Sequence, residues 1–346
     1  MGTKRPFTHL RSIAAAVLVL ATVLTACETI NDDLEPCRTE FRVKFRYDLN
    51  IKYADAFAHE VESVALWIFD TSGRPVWHGT EAGEALRAEG YAMPVDVAPG
   101  TYDVVAWCGL EGQPLYRLAG LEAQSLDDLR LSIARLHDAE GDYVADDLTG
   151  LYHGFERVTF AEAELGGTVD AVMPLTKDTN ILRVTLQYYN SAGDKQMAAD
   201  DFDFFIEASN GEMNYDNRLL GDDAFTYRQW IKTPLSADFG TAALATRTTV
   251  NGLMAERTIG RLTTDRQPTL VVRRTTDGEQ IIRLPLVKYL LMVRGNYRRH
   301  MEPQEYLDRV DEFDMTFFLD GDDKWYTGAG IYINSWVVVP EQDTEM

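Results

Sequence analysis

Phe41-Arg42-Val43-Lys44-Phe45-Arg46-Tyr47 alternates strictly between large apolar and basic side chains. A period of two sends Phe41, Val43, Phe45 and Tyr47 to one face and Arg42, Lys44 and Arg46 to the other, as in a half-buried strand of an antiparallel sheet. Downstream, Val61 to Phe69 is denser in apolar residues and reads as a more buried strand. Asp70-Thr-Ser-Gly73 turns the chain, and Pro75-Val-Trp77 starts a return strand. Residues 80–90 form a connecting turn or short helix. Pro99-Gly100 is a tight turn between two apolar strands, the second opened by Thr101-Tyr102 and ended by Trp107-Cys108. Residues 125–137 combine a helix start (Ser125, Asp127, Asp128) with the alternation Leu129, Leu131, Ile133, and the alternation favours a strand.

After strands near 155–160 and 168–175, the pattern closes at Pro174-Leu175-Thr176-Lys177. A new alternation follows at once, with Leu182, Val184, Leu186 and Tyr188 against Arg183, Thr185 and Gln187. The expected boundary is therefore near residue 176, with two antiparallel β-sandwiches over 37–176 and 177–346. In the second half Phe202, Phe204 and Ile206 alternate, and both Asn210-Gly211 and Asp277-Gly278 are hairpin signals. Leu284 to Val293 is apolar and suits a short helix. Phe313, Met315, Phe317 and Leu319 alternate again, Gly321-Asp-Asp turns, and Ile331 to Val339 reads as one last strand.

Upstream lies a different kind of segment. Lys4, Arg5 and Arg11 precede an apolar run from Ile13 to Leu24, and Thr25-Ala26-Cys27 ends it. The run is about a dozen residues against roughly 20 for a bilayer span, so it reads as a secretory signal over 1–26. A cysteine directly after small residues resembles a bacterial lipobox, whose thiol takes a diacylglyceryl group before cleavage. The alternative is an ordinary signal with a nearby Cys. If Cys27 is acylated, two or three chains, at about 0.8 kcal/mol per buried methylene, hold the protein on a membrane without a spanning segment. Residues 27–36 are polar and acidic and read as a tether.

The formal charge is −22, and the leader's basic side chains make the remainder more acidic still. That argues strongly against nucleic acid as a partner, since phosphate neutralisation needs excess Lys and Arg. With Cys27 committed to lipid, Cys37 and Cys108 remain in an oxidising compartment, and an even remainder suggests a disulfide. Closing a loop of roughly 70 residues would contribute about 4 kcal/mol. Two separate buried thiols are the alternative.

Motifs of chemistry are absent: there is no P-loop, G-x-G-x-x-G, G-x-S-x-G or H-E-x-x-H. His59, His78, His137, His153 and His300 are scattered, and none is spaced as a ligand pair. His153, in a turn-like segment, reads as structural. Asp320-Gly-Asp-Asp323 lacks the ligand order of a calcium loop, and Asp200-Asp201 reads as a solvated strand edge. No enzyme, cofactor or metal is expected.

Several pieces in order carry a family resemblance. They are the Cys27 lipobox and acidic tether, Val64-Ala-Leu-Trp-Ile-Phe-Asp70, Pro99-Gly-Thr-Tyr102 with Ala106-Trp-Cys-Gly109, and Leu151-Tyr-His-Gly154. Lys177-Asp-Thr-Asn180, Gln304-Glu-Tyr-Leu-Asp-Arg309 and Ile331-Tyr-Ile-Asn-Ser-Trp336 complete them. Together they resemble the FimB-like fimbrial anchor lipoproteins of Bacteroidetes-type pili. The resemblance implies two transthyretin-like sandwiches, attachment to the outer membrane through acylated Cys27, and pilin subunits as partners. A surface glycan-binding lipoprotein is the competing reading. It requires a row of exposed Trp and Tyr, whereas Trp67 and Trp107 sit in runs that look buried.

Overall fold

The computed structural model describes residues 38–119, 124–163, 166–189, 195–239, 248–297 and 299–340. The chain is all-β. Strand β1 (Thr39–Arg46) forms where the alternation begins, with Phe41, Val43, Phe45 and the following Tyr47 buried. On its outer face Arg42 and Lys44 reach Asp170 at 2.8 and 2.6 Å. β1 lies between β4 (Met93–Val95), antiparallel to it, and β11 (Gly167–Pro174), parallel to it. A second sheet runs in the order β12 (Thr176–Lys177), β10 (Tyr152–Phe160), β5 (Gly100–Cys108), β2 (Ser63–Asp70), β3 (Pro75–Ala82). Phe41 packs on Phe160 at one end of the sandwich, and Tyr47 on Tyr152 at the other.

β2 is buried on both faces. Val64, Leu66 and Ile68 enter the core beneath β1, while Ala65, Trp67 and Phe69 enter a second, larger core shared with the C-terminal half. That double burial is why the run carries no polar alternation. The Pro99-Gly100 turn joins its two strands as a corner and not as a hairpin, because β4 and β5 lie in different sheets. Tyr102 clamps it, its hydroxyl donating to the Ala98 carbonyl at 2.8 Å.

Residues 37–176 do not close on themselves as expected. β6 (Tyr116–Ala119) and β7 (Arg130–Ile133) form a sheet with β15 (Glu212–Asn214). β8 (Leu136–Asp138) and β9 (Gly141–Val144) extend a sheet of β16 (Phe225–Tyr227), β14 (Phe202–Ala208), β19 (Thr269–Arg274) and β20 (Gln280–Pro285). The segment 116–144 is thus structurally part of the C-terminal half. Alternation shows which side chains share a face and is silent on which sheet supplies the neighbour. In the same way Asn210-Gly211 is no hairpin. β14 and β15 part company there, and buried Asn210 donates to the Arg261 carbonyl while accepting from the Tyr227 hydroxyl.

The last sheet runs β17 (Ile231–Phe239), β18 (Thr248–Gly260), β13 (Thr179–Tyr188), β21 (Glu312–Leu319), β22 (Ile331–Ile333), β23 (Trp336–Val338). The expected single strand over 331–339 is a hairpin, since Asn334 (φ 46°) and Ser335 (φ 71°) make a two-residue turn. The Asp277-Gly278 hairpin is present, with Gly278 at φ 72°. Short helices lie at Leu286–Met292 and Pro303–Arg309, and 3-10 turns at Gly83–Arg87 and Leu126–Asp128, the last leading into β7.

Cys108 ends β5 as a free, fully buried thiol, its pKa pushed up by desolvation. Cys37 lies outside the described residues. Cys108 pairs with Tyr152, at the Tyr47 end of the sandwich, whereas Thr39 opens β1 at the Phe41–Phe160 end. The strand between Gly100 and Cys108 spans about 26 Å, and a disulfide needs Cα atoms about 4.4–6.8 Å apart. That geometry favours two separate thiols over the bridge. Alkylating the denatured, unreduced protein is expected to modify both Cys37 and Cys108. A mass showing neither modified would restore the bridge.

Candidate functional site

The five-stranded sheet ends at β3, and the sheet of β6, β7 and β15 ends at β6. Each edge strand is paired on one side only, so its outward N–H and C=O groups face solvent. Between these edges runs a cleft of about 620 Å³ lined by Trp67, His78, Thr80, Leu110, Tyr116 and Leu118. A second cleft of about 580 Å³, lined by Glu60, Glu62, Arg87, Tyr152 and Lys177, shares Ser63, Ala82 and Glu111 with the first. Cross-strand pairing builds the wall, with Ser63 opposite Ala82, Ala65 opposite Thr80 and Trp67 opposite His78. The exposed His78 ring lies 4.7 Å from Trp67, and partial desolvation against the cleft wall lowers its pKa. Trp67 Nε1 finds no hydrogen-bond partner among the described residues. At the far end Lys177 is held by Glu60 at 3.2 Å and Asp311 at 2.5 Å.

Such an arrangement can accept an extended segment, with two edges that offer main-chain hydrogen bonds beside an aromatic floor. Sequence reasoning missed it because neither edge status nor the gap between edges follows from periodicity. The Trp67–His78 pair was in view only as a buried Trp and a scattered His.

Two buried polar groups, Arg257 and Asp178, lie where the halves meet. Arg257, 1% exposed, fans its guanidinium onto the carbonyls of Val144, Ala145 and Asp146 at 3.1, 2.6 and 2.6 Å. Asp178, fully buried between β12 and β13, accepts from Asn217 Nδ2 at 2.9 Å. Arg261 stands 3.6 Å from it but bonds Asp308 at 3.0 Å. Desolvation pushes the Asp178 carboxyl up to about 7 against the lowering effect of Arg261. His153 is buried against Trp107, with Nε2 donating to the Tyr215 carbonyl at 2.8 Å, and burial drives its pKa down to about 3. It lies inside strand β10 and not in the turn the sequence suggested, and its ring is a buried packing group.

The remaining expectations fall as follows. Cys27 lies outside the described residues, as does Cys37, and Cys108 is fully buried in the core and lines neither cleft. Asp320 caps its own turn, accepting from the N–H groups of Asp322 and Lys324, while Asp323 accepts from the Tyr188 hydroxyl and pairs with Lys195. Among the described residues no group of His, Cys, Asp and Glu is arranged to hold a metal ion, and no helix is long and apolar enough to cross a membrane.

An all-β chain with open edges beside an aromatic cleft is matched, over residues 34–341, by the family model of the fimbrillin-A associated anchor proteins Mfa1 and Mfa2. The chain belongs to that family. Membership makes it a fimbrium-associated, adhesin-like protein of the cell surface. A solved structure described as a candidate adhesin from Bacteroides thetaiotaomicron is 32% identical, with a TM-score of 0.76 over 89% of this chain and 100% of its own. Another from the same organism, described as a candidate polysaccharide-binding protein, is 28% identical, with a TM-score of 0.71 over 88% and 99%. The fimbrial anchor protein Mfa2 from Porphyromonas gingivalis, 16% identical over 88% and 99%, shares the fold with a TM-score of 0.63. None of the curated proteins matches in sequence.

Proposed function

We propose that this member of the anchor family holds a fimbria to the outer membrane, with acylated Cys27 in the lipid and the β3–β6 cleft receiving an extended segment of the basal fimbrial subunit. The observation that carries the reading is the cleft itself: an aromatic floor between two unpaired sheet edges, in a family of fimbrial anchors. Strand addition at such edges bears load through main-chain hydrogen bonds without any chemistry. The basic, apolar leader ending at Cys27 supports the lipid end.

Cys27→Ala is expected to abolish fatty-acid labelling and to shed assembled fimbriae into the medium, with subunit synthesis unchanged. At the other end, Thr80→Lys places a charge in the cleft from an exposed position. It is expected to weaken retention of the first subunit on purified protein about tenfold without lowering the melting temperature. Equal labelling of wild type and Cys27→Ala, or fimbriae that stay cell-bound in a deletion strain, would sink the reading. The second reading is that the same cleft holds a neutral glycan, supported by its Trp, His and Tyr lining and by the relative described as polysaccharide-binding. Glycan binding lost in Thr80→Lys, with fimbriae retained, would favour it.

A further inference from the structure

Exposed apolar side chains are concentrated on one sheet. In an antiparallel sheet with one buried face, the outward positions are ordinarily polar. In the sheet of β17, β18, β13, β21, β22 and β23 large apolar side chains stand exposed among the polar ones. Cross-strand pairing puts Thr233, Met254, Thr185, Thr316, Tyr332 and Val337 in one outward row across all six strands. The next row holds Leu235, Gly252, Gln187 and Phe318, and Tyr189 and Tyr326 lie beyond it. Tyr326, Tyr189, Phe318 and Tyr332 touch in sequence, with ring centroids 4.4, 6.2 and 5.7 Å apart. Tyr332 is 40% exposed, Val337 54% and Ile231 56%.

From this face we infer a second docking surface, one that packs flat against an apolar face of a different protein subunit, and, resting on the anchor reading above, that subunit is the basal fimbrial one. Three features choose this occupant. The first is size: six strands span about 24 Å, and the seven residues from Arg183 to Tyr189 about 20 Å. That is the scale of a protein interface, which takes about 800 Å² from each partner, and several times the footprint of a sugar ring. The second is chemistry. Leu235, Met254 and Val337 are aliphatic and offer sugar hydroxyls nothing, whereas they and the tyrosines are what a protein interface core uses. The third is charge. Along the Ile231 margin Arg183 faces Glu256, Glu312 and Asp314, one cation against three carboxylates, so the partner's rim is basic. A second copy of a chain at −22 would meet repulsion there.

The test uses the full chain in cells, with a photo-crosslinking residue at Tyr332, at Thr80 in the cleft, and at Val172, an exposed residue of β11, as control. Crosslinking of a fimbrial subunit at Tyr332, at least tenfold above Val172, is expected. Tyr332→Ser with Val337→Thr should cut subunit retention at least tenfold with an unchanged melting temperature. Subunit crosslinks at Thr80 but not Tyr332 would overturn the second surface and leave the anchor function standing. Crosslinks at Tyr332 only to another copy of this chain or to glycan would also overturn it. No subunit crosslink at either position would overturn both.

Discussion

Replacing Arg257 with alanine is expected to destabilise the protein by about 3–5 kcal/mol, because the part-buried Ala145 and Asp146 carbonyls lose their guanidinium donor, the buried Val144 carbonyl is left with the Arg228 N–H alone, and a fully buried side chain's volume is vacated. The guanidinium sits on β18 and binds the carbonyls of residues 144–146, which belong to the segment that crosses from the N-terminal half. Asp147 completes the clasp, its carboxylate accepting from the Thr258 N–H at 3.0 Å and lying 3.5 Å from Arg257. The loss should therefore appear in two ways. Calorimetry should show a melting temperature lower by about 5–10 °C. Limited proteolysis should open the chain first between Leu136 and Leu148. Arg257→Lys should recover little, since one ammonium on a flexible stem cannot reproduce a planar fork onto three acceptors. A melting temperature within about 2 °C of wild type in Arg257→Ala would show that the clasp carries no stability.

Asp178→Asn is expected to change how stability depends on pH. The folded carboxyl titrates near 7 and an unfolded aspartate near 3.9. Between those values the folded state holds a proton that the unfolded state has released. The sign follows: the contribution of protonated Asp178 is complete below about pH 4, is lost as pH rises towards 7 at about 1.4 kcal/mol per unit, and changes no further above it. Asparagine keeps the neutral shape at every pH. The variant should match wild type near pH 4.5 and be more stable at pH 8. The groups facing Asp178 account for this. Asn217 supplies one hydrogen bond, Arg261 is closer to Asp308, and Asp178 Oδ2 has no partner among the described residues. A stability difference that is constant from pH 4.5 to 8 would show that Asp178 is already ionised in the folded protein.

Much of the fold was legible in the residues. The Phe41–Tyr47 alternation placed β1 and its buried face correctly, and so did the runs at 182–188, 202–206 and 313–319. Short-range turns were legible where local chemistry decides them, as at Asp277-Gly278. Asn334-Ser335 was missed because Asn-Ser is a weaker turn signal than Asn-Gly. The cleft was not legible at all. Its lining comes from β2, β3, β6 and the loop after β5, and its existence depends on two sheets ending side by side.

The sequence by itself carried the expectation of a leader ending at Cys27, and it determined the acidic balance, the all-β class and the inward face of most strands. These are local properties: a period of two, a run length or a sum of charges needs no knowledge of neighbours. Only the tertiary structure decided that residues 116–144 complete the sheets of the other half, that Asn210-Gly211 separates sheets, and that Asp178 and Arg257 are buried where the halves meet. It also showed that exposed apolar side chains from several strands gather on one face of the last sheet. Each of these depends on which strand lies beside which, and a backbone hydrogen-bond ladder is available to any strand, so its partner is chosen by the packing of the whole chain.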